Sequence, residues 1–282
     1  MTATISEATT SKYAQAGNVK IHYNEIGSGD PIVCFHGGGP GASSWSNFRE
    51  NVEAFSREHR VLLVDLPQYG KSDKITITGP RLTSYTKIMF DFLDAVGLQK
   101  VDFVGNSFGG QVAMKMAIDR PERVKHVVII GSTPVNFSLF CPMPLEGIKM
   151  IQAYYKGEGP SLEKMRTLIK TLVYDSSFLT EEVLKERFEA SNDPEVIRCA
   201  NGPQPEREDL TAQFPKMKAP LLAVWGMDDR FGALDVGLLM TRAMPNAQMH
   251  IFSKCGHWAQ VEHAEEFNEL VLSFLKRPLP KA

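Results

Sequence analysis

A serine hydroxyl is barely ionised at neutral pH, so it does chemistry only where a base and donors for developing negative charge are brought to it. Ser107 stands in Gly105-Asn106-Ser107-Phe108-Gly109-Gly110, after an apolar β-branched run at 101–104 and before a helical pattern at 111–117. In that strand-turn-helix context G-x-S-x-G holds the serine out at the carboxyl end of the strand, and its glycines let the chain turn without Cβ clashes. Such a turn also suits a serine that merely caps a helix. A phosphate-binding loop fits less well, because Gln111 stands where that loop needs lysine.

A base and an orienting acid are therefore required elsewhere in the chain. The run at 221–224 leads into Trp225-Gly226-Met227-Asp228-Asp229-Arg230. Asp229 is the expected acid, with Asp228 supporting the turn or pairing with Arg230; an isolated pair of this kind would be read as solvated turn aspartates. His257, in Cys255-Gly256-His257-Trp258, follows the run at 249–252 and precedes the last helical segment. Its neutral imidazole is able to take the serine proton at physiological pH. His22, His59, His126, His250 and His263 lack this context and read as structural or exposed.

His36-Gly37-Gly38-Gly39-Pro40-Gly41 follows the run at 32–35, where glycines let a backbone N–H approach a substrate oxygen. The expected oxyanion donors are the N–H groups of Gly39 and Phe108. A dinucleotide loop would need G-x-G-x-x-G, and the third glycine position counted from Gly37 falls on Ala42. Serine, acid and histidine occur in the chain order of the α/β-hydrolase fold. Four modest signals in one mechanistic order outweigh their separate structural readings.

The elements that must carry these residues follow from periodicity. Short apolar runs at 19–23, 32–35, 61–64, 101–104, 127–130, 221–224 and 249–252 are mostly continuous rather than alternating, as in strands covered on both faces. Helix-like segments at 45–55, 84–96, 108–117, 235–243 and 264–275 lie between or after them, which predicts an α/β fold with a mainly parallel sheet flanked by helices. From 134 to 210 the alternation stops. Segments 145–155, 161–173 and 180–190 read as short helices, bounded by Pro142, Pro144, Gly157, Gly159, Pro160 and Pro194. The expected organisation is a core over 1–133 and 211–282 with a helical lid inserted at 134–210.

Within the helix at 180–190, Arg187 lies at helical spacing from Val183 and Leu184 and so falls on the apolar face. A guanidinium buried there requires an anionic partner, unless it snorkels outward or pairs with a nearby glutamate.

Composition narrows the partners. A formal net charge of -2, with no Lys/Arg run, offers no nucleic-acid footprint. The opening residues lack an apolar export segment, and no run is long enough to cross a bilayer, so a cytoplasmic protein is expected. Cys34, Cys141, Cys199 and Cys255 are widely spaced and read as reduced thiols. The seven histidines form no metal-ligand cluster, and neither metal nor cofactor is expected.

The chain resembles the meta-cleavage product hydrolases, which hydrolyse carbon-carbon bonds in ring-opened aromatic catabolites. The resemblance covers most of the chain. It is carried by His36-Gly-Gly-Gly-Pro-Gly-Ala42, Trp45-Ser46-Asn47, Gly105-Asn-Ser-Phe-Gly-Gly110, Pro142-Met-Pro-Leu-Glu-Gly147, Trp225-Gly-Met-Asp-Asp-Arg-Phe231 and Phe252-Ser-Lys-Cys-Gly-His-Trp258. It implies a 2-hydroxy-6-oxohexa-2,4-dienoate substrate bearing a C6 substituent, cleaved to 2-hydroxypenta-2,4-dienoate and a carboxylic acid after enol-keto tautomerisation. It also implies that Arg187 meets the anionic substrate and that Gly38, Asn47, Asn106 and Trp258 lie near the dienoate end. Assembly as a homo-oligomer is a further implication. Phe108 stands where many members have methionine, and Gly232-Ala233 where Val-Pro is usual.

A carboxylesterase would use the same triad, but an apolar ester does not need Arg187, Asn47 and Asn106. A dehalogenase or epoxide hydrolase would carry an aspartate at Ser107. A non-catalytic receptor on the same fold is the alternative of another class, since fold alone does not establish activity.

Overall fold

The computed structural model describes residues 5–280; the ends of the expected first and last segments, residues 1–4 and 281–282, lie outside the described residues. The strands are β1 (Ser11–Ala16), β2 (Val19–Ile26), β3 (Asp30–Phe35), β4 (His59–Val64), β5 (Val101–Asn106), β6 (Val124–Ile130), β7 (Leu221–Gly226) and β8 (Ala247–Phe252). They form one sheet in the order β1-β2-β4-β3-β5-β6-β7-β8. Pairing is antiparallel for β1 with β2 and β2 with β4, and parallel from β4 to β8.

Side chains of successive strand residues point to opposite faces, and both faces are covered. In β3, Val33 and Phe35 join a core with Tyr85, Phe92, Met114 and Trp225, while Ile32 and Cys34 join a second core with Phe48, Phe55 and Phe267. The covering helices include α2 (Ser44–Ser56), α3 (Arg81–Ala95), α4 (Phe108–Asp119), α9 (Leu234–Ala243) and α11 (Ala264–Leu275); two shorter ones are α1 (Glu7–Thr10) and α10 (Ala259–Glu262). A reciprocal Ser43/Ser46 capping box starts α2, whose buried positions Ser44, Asn47, Phe48, Asn51, Val52 and Phe55 recur at helical spacing. Asn47 thereby faces inward.

Four helices interrupt the alternation between β6 and β7: α5 (Glu146–Tyr154), α6 (Leu162–Leu172), α7 (Glu181–Ser191) and α8 (Pro194–Asn201). They have a small core of their own, containing Tyr154, Met165, Leu168, Leu172 and Leu184, which closes onto Phe231 and Trp258. Pro194, expected from sequence only as a breaker, opens α8 at its first helical position, where its missing N–H is harmless; Asp193 caps the helix by accepting from the N–H of Glu195. The sequence also misses β1, an edge strand whose exposed, polar residues form no apolar run.

Candidate active site

Ser107 sits at the carboxyl end of β5, in the middle of the sheet, with φ +51° and ψ −114°. Such a conformation is strained for a residue with a Cβ and persists because its surroundings fix it. The Ser107 N–H donates to the Ile130 carbonyl at 2.7 Å, and α4 begins at the next residue. The turn is tight enough that a Cβ on Gly105 would lie 2.5 Å from the Gly110 nitrogen, which is why glycine is required there.

Asp229 follows β7 and is held by its own loop. Its Oδ1 accepts from the N–H groups of Phe231 at 2.7 Å and Gly232 at 2.9 Å, leaving Oδ2 at 2.8 Å from His257 Nδ1. The two side chains are 1% and 3% exposed, so their interaction is shielded from water. A carboxylate at Nδ1 keeps the proton there and frees Nε2 as the basic nitrogen. Asp228 is exposed, and Arg230 turns instead to the Lys170 carbonyl at 2.8 Å and to Glu146 at 3.7 Å.

The His257 loop is tied to the inserted helices and to the nucleophile strand. Its N–H donates to the Leu172 carbonyl at 2.6 Å, its carbonyl accepts from Asn106 Nδ2 at 3.2 Å, and its ring stacks on Phe231 with centroids 5.0 Å apart. Glu262 accepts from the N–H groups of Gly256 and Tyr174 at 2.8 and 2.6 Å, joining the same two regions. Sequence reading missed Glu262, which carries no motif of its own.

In the His36–Gly41 turn, the Gly37 N–H donates to Asn47 Oδ1 at 3.1 Å and the Gly38 carbonyl accepts from the Tyr69 hydroxyl at 3.1 Å. His36 braces the turn: Nδ1 donates to the Gly37 carbonyl at 2.7 Å and Nε2 accepts from the Leu66 N–H at 3.0 Å. Burial lowers its pKa, consistent with a neutral ring. Among the described residues the N–H groups of Gly38, Gly39 and Phe108 have no acceptor within the chain. Gly38 packs against Phe108, and Gly39 against Nη2 of Arg187.

Arg187 is buried on the inward face of α7, as its spacing predicted. Its guanidinium lies 5.0 Å from the Trp258 ring, its Nε has no hydrogen-bond partner, and it makes no ion pair among the described residues. Burial draws its pKa down to about 10, which leaves it cationic at neutral pH. Burying a cation without a counter-ion is costly unless an anion comes to meet it.

Two cavities meet at Ser107. A narrow one, of about 20 Å³, is lined by Asn47, Asn106, His257, Arg187, Trp258 and the glycine turn. A wide one, of about 700 Å³, extends past Phe108 beneath α5 and α8. The expected site residues line the narrow cavity except for Phe108, which lines the wide one, and Asp229, which is reached through His257; among the described residues no hydrogen bond joins Ser107 Oγ to His257. The amides of Asn47 and Asn106 are partly committed to the loops, through Oδ1 and Nδ2 respectively, while Asn106 Oδ1 is buried without a partner.

The chain has relatives among known proteins in both sequence and fold. A family model described as the α/β hydrolase fold matches residues 30–264. A 2-hydroxy-6-oxononadienedioate/2-hydroxy-6-oxononatrienedioate hydrolase from Burkholderia vietnamiensis is 41% identical over 98% of this chain and 100% of its own. A 2-hydroxy-6-oxo-6-phenylhexa-2,4-dienoate hydrolase from Burkholderia cepacia is 39% identical over 96% and 98%. The structure of a meta-cleavage product hydrolase from Pseudomonas fluorescens IP01 superposes with a TM-score of 0.83 at 30% identity, covering 93% of this chain and 96% of that one. The chain belongs to the α/β-hydrolase fold family and, within it, to the meta-cleavage product hydrolases, enzymes that hydrolyse carbon-carbon bonds.

Proposed function

We propose that this enzyme cleaves the C5–C6 bond of a 2-hydroxy-6-oxo-hexa-2,4-dienoate substituted at C6, with Ser107 as nucleophile, His257 as proton carrier and Asp229 as the group that orients it. Arg187 carries the reading: an unpaired guanidinium in the narrow cavity beside His257 fits the carboxylate of a dienoate, and an apolar ester would leave it without a partner. Asn106 Oδ1 is an acceptor for the 2-hydroxyl, and Trp258 packs on the planar diene.

The dienol first becomes its keto tautomer, with the 2-hydroxyl proton leaving oxygen and a proton arriving at C5. His257 Nε2 then takes the Ser107 proton as Oγ attacks C6, and the oxyanion is received by the N–H of Phe108 and that of Gly39, with Gly38 beside it. C5–C6 breaks as His257 gives the Ser107 proton to the departing dienolate, whose charge Arg187 stabilises, leaving an acyl serine. Water, deprotonated by the His257 ring now neutral again, attacks the acyl carbon, and His257 returns that proton to Ser107 Oγ as the acid leaves.

The helices of 134–210 serve as a lid over this reaction, since their core rests on Phe231 and Trp258. The four free cysteines suit a reducing cytoplasm, and among the described residues no helix is long and apolar enough to cross a membrane. A homo-oligomer is supported by the outer edge of β8, which pairs with no further strand among the described residues and carries the exposed Ile251.

Steady-state kinetics on a 6-phenyl dienoate and on a simple aryl ester test the proposal. Faster turnover of the dienoate is expected; rapid ester hydrolysis with no dienoate cleavage would make the protein a carboxylesterase. Turnover of neither would favour a receptor.

A further inference from the structure

The narrow cavity accounts for one arginine without a counter-ion, and a second, with the Tyr69 hydroxyl beside it, stands on the other side of Ser107. Arg81, the first residue of α3, holds its guanidinium 3.8 Å from the centroid of the Phe108 ring and lines the wide cavity. The opposite support is fixed, because the Phe108 ring meets Tyr85 edge-on at 4.8 Å. Phe108 is also the residue whose N–H faces the oxyanion, so the arginine lies one ring away from the acyl carbon.

The charges around the wide cavity do not cancel Arg81. It makes no ion pair among the described residues. Among the described residues Glu208 is the only carboxylate lining this cavity, and its two oxygens accept from the Thr83 N–H at 2.8 Å and Thr83 Oγ1 at 2.7 Å. Lys156 and Arg207 add positive charge to the lining, and Gln111 and Gln152 add amides. An apolar acyl pocket has no need of such a wall, whereas a stacked, planar guanidinium is pre-organised for a bidentate carboxylate.

We propose that Arg81, shelved on Phe108, is a specificity residue for a C6 substituent that ends in a carboxylate on a short methylene chain. The inference rests on the dienoate reading above and deepens it: the substrate is an acid at both ends, with Arg187 holding the dienoate carboxylate and Arg81 the distal one. Hydrolysis of the C5–C6 bond then places the hydroxyl of water on C6 and its hydrogen on the departing dienoate. The second product is a dicarboxylic acid.

The test is a matched pair of substrates with the same carbon skeleton, 2-hydroxy-6-oxonona-2,4-dienedioate and its 6-propyl counterpart, assayed with wild type, Arg81→Gln and Arg81→Lys. The Arg81 backbone N–H donates to the Glu206 carbonyl, a bond these substitutions retain. Wild type should prefer the dienedioate by about tenfold or more in kcat/KM, mainly through KM. Arg81→Gln should lose about 10- to 100-fold on the dienedioate and less than about threefold on the propyl compound, with Arg81→Lys between. Equal wild-type rates for the pair, or an equal loss on both in Arg81→Gln, would overturn the proposal while leaving the dienoate reading intact. Turnover of neither compound would overturn both.

Discussion

Gly131 backs directly onto His257. It adopts φ +56° at the end of β6, and a Cβ placed there would lie 2.6 Å from His257 Nδ1 and 2.6 Å from Asp229 Oδ2. The Asp229 and His257 side chains therefore meet across a backbone that has no room for a side chain.

Replacing Gly131 with alanine should force that pair apart and impose an unfavourable backbone conformation together. We expect kcat to fall about 100-fold and stability by about 1–3 kcal/mol, read from steady-state kinetics and thermal melts. An alanine variant within twofold of wild type would show that the Asp229–His257 contact does not govern the rate.

Arg187 predicts opposite effects on activity and stability. A buried charge with no counter-ion is a burden to the free enzyme, and methionine fills a comparable volume without it. Arg187→Met should raise KM for a dienoate by about 10- to 100-fold while raising Tm by about 2–6 °C. A lower Tm with an unchanged KM would mark the arginine as structural.

His36 gives the enzyme a dependence on mild acid. Its pKa in the folded chain lies below the ordinary 6.5, chiefly because it is buried, and Nε2 must stay unprotonated to accept from Leu66. Between 6.5 and the lowered folded value the unfolded chain binds more protons, so the contribution is complete above about pH 6.5 and is lost as pH falls through that window. Thermal melts from pH 8 to 5 should decline more steeply in wild type than in His36→Gln; parallel curves would remove the role of His36.

Strands buried on both faces were legible because their apolar runs are continuous; all seven expected runs needed only extension, as 61–64 became His59–Val64. The strand β1 was not, since its exposed residues leave no hydrophobic trace. Ser107, Asp229 and His257 could be singled out because the proposed chemistry needs a serine, an acid and a histidine in that chain order, and they follow β5, β7 and β8. Gly131, Glu262 and Tyr69 were not: each acts through backbone groups or close approach, and these depend on tertiary packing. Arg187 was readable from helical spacing, whereas Arg81 lies at the first position of α3, where periodicity says little about its direction.

The role of Ser107 is tested most directly by stopped-flow absorbance on a 6-phenyl dienoate with wild type and Ser107→Ala. Wild type should bleach the dienolate chromophore completely and release benzoate and 2-hydroxypenta-2,4-dienoate. The variant should bind the substrate with a spectral change and release neither product on the wild-type timescale, a loss of about 10³-fold or more. Cleavage by Ser107→Ala within about tenfold of the wild-type rate would contradict the account.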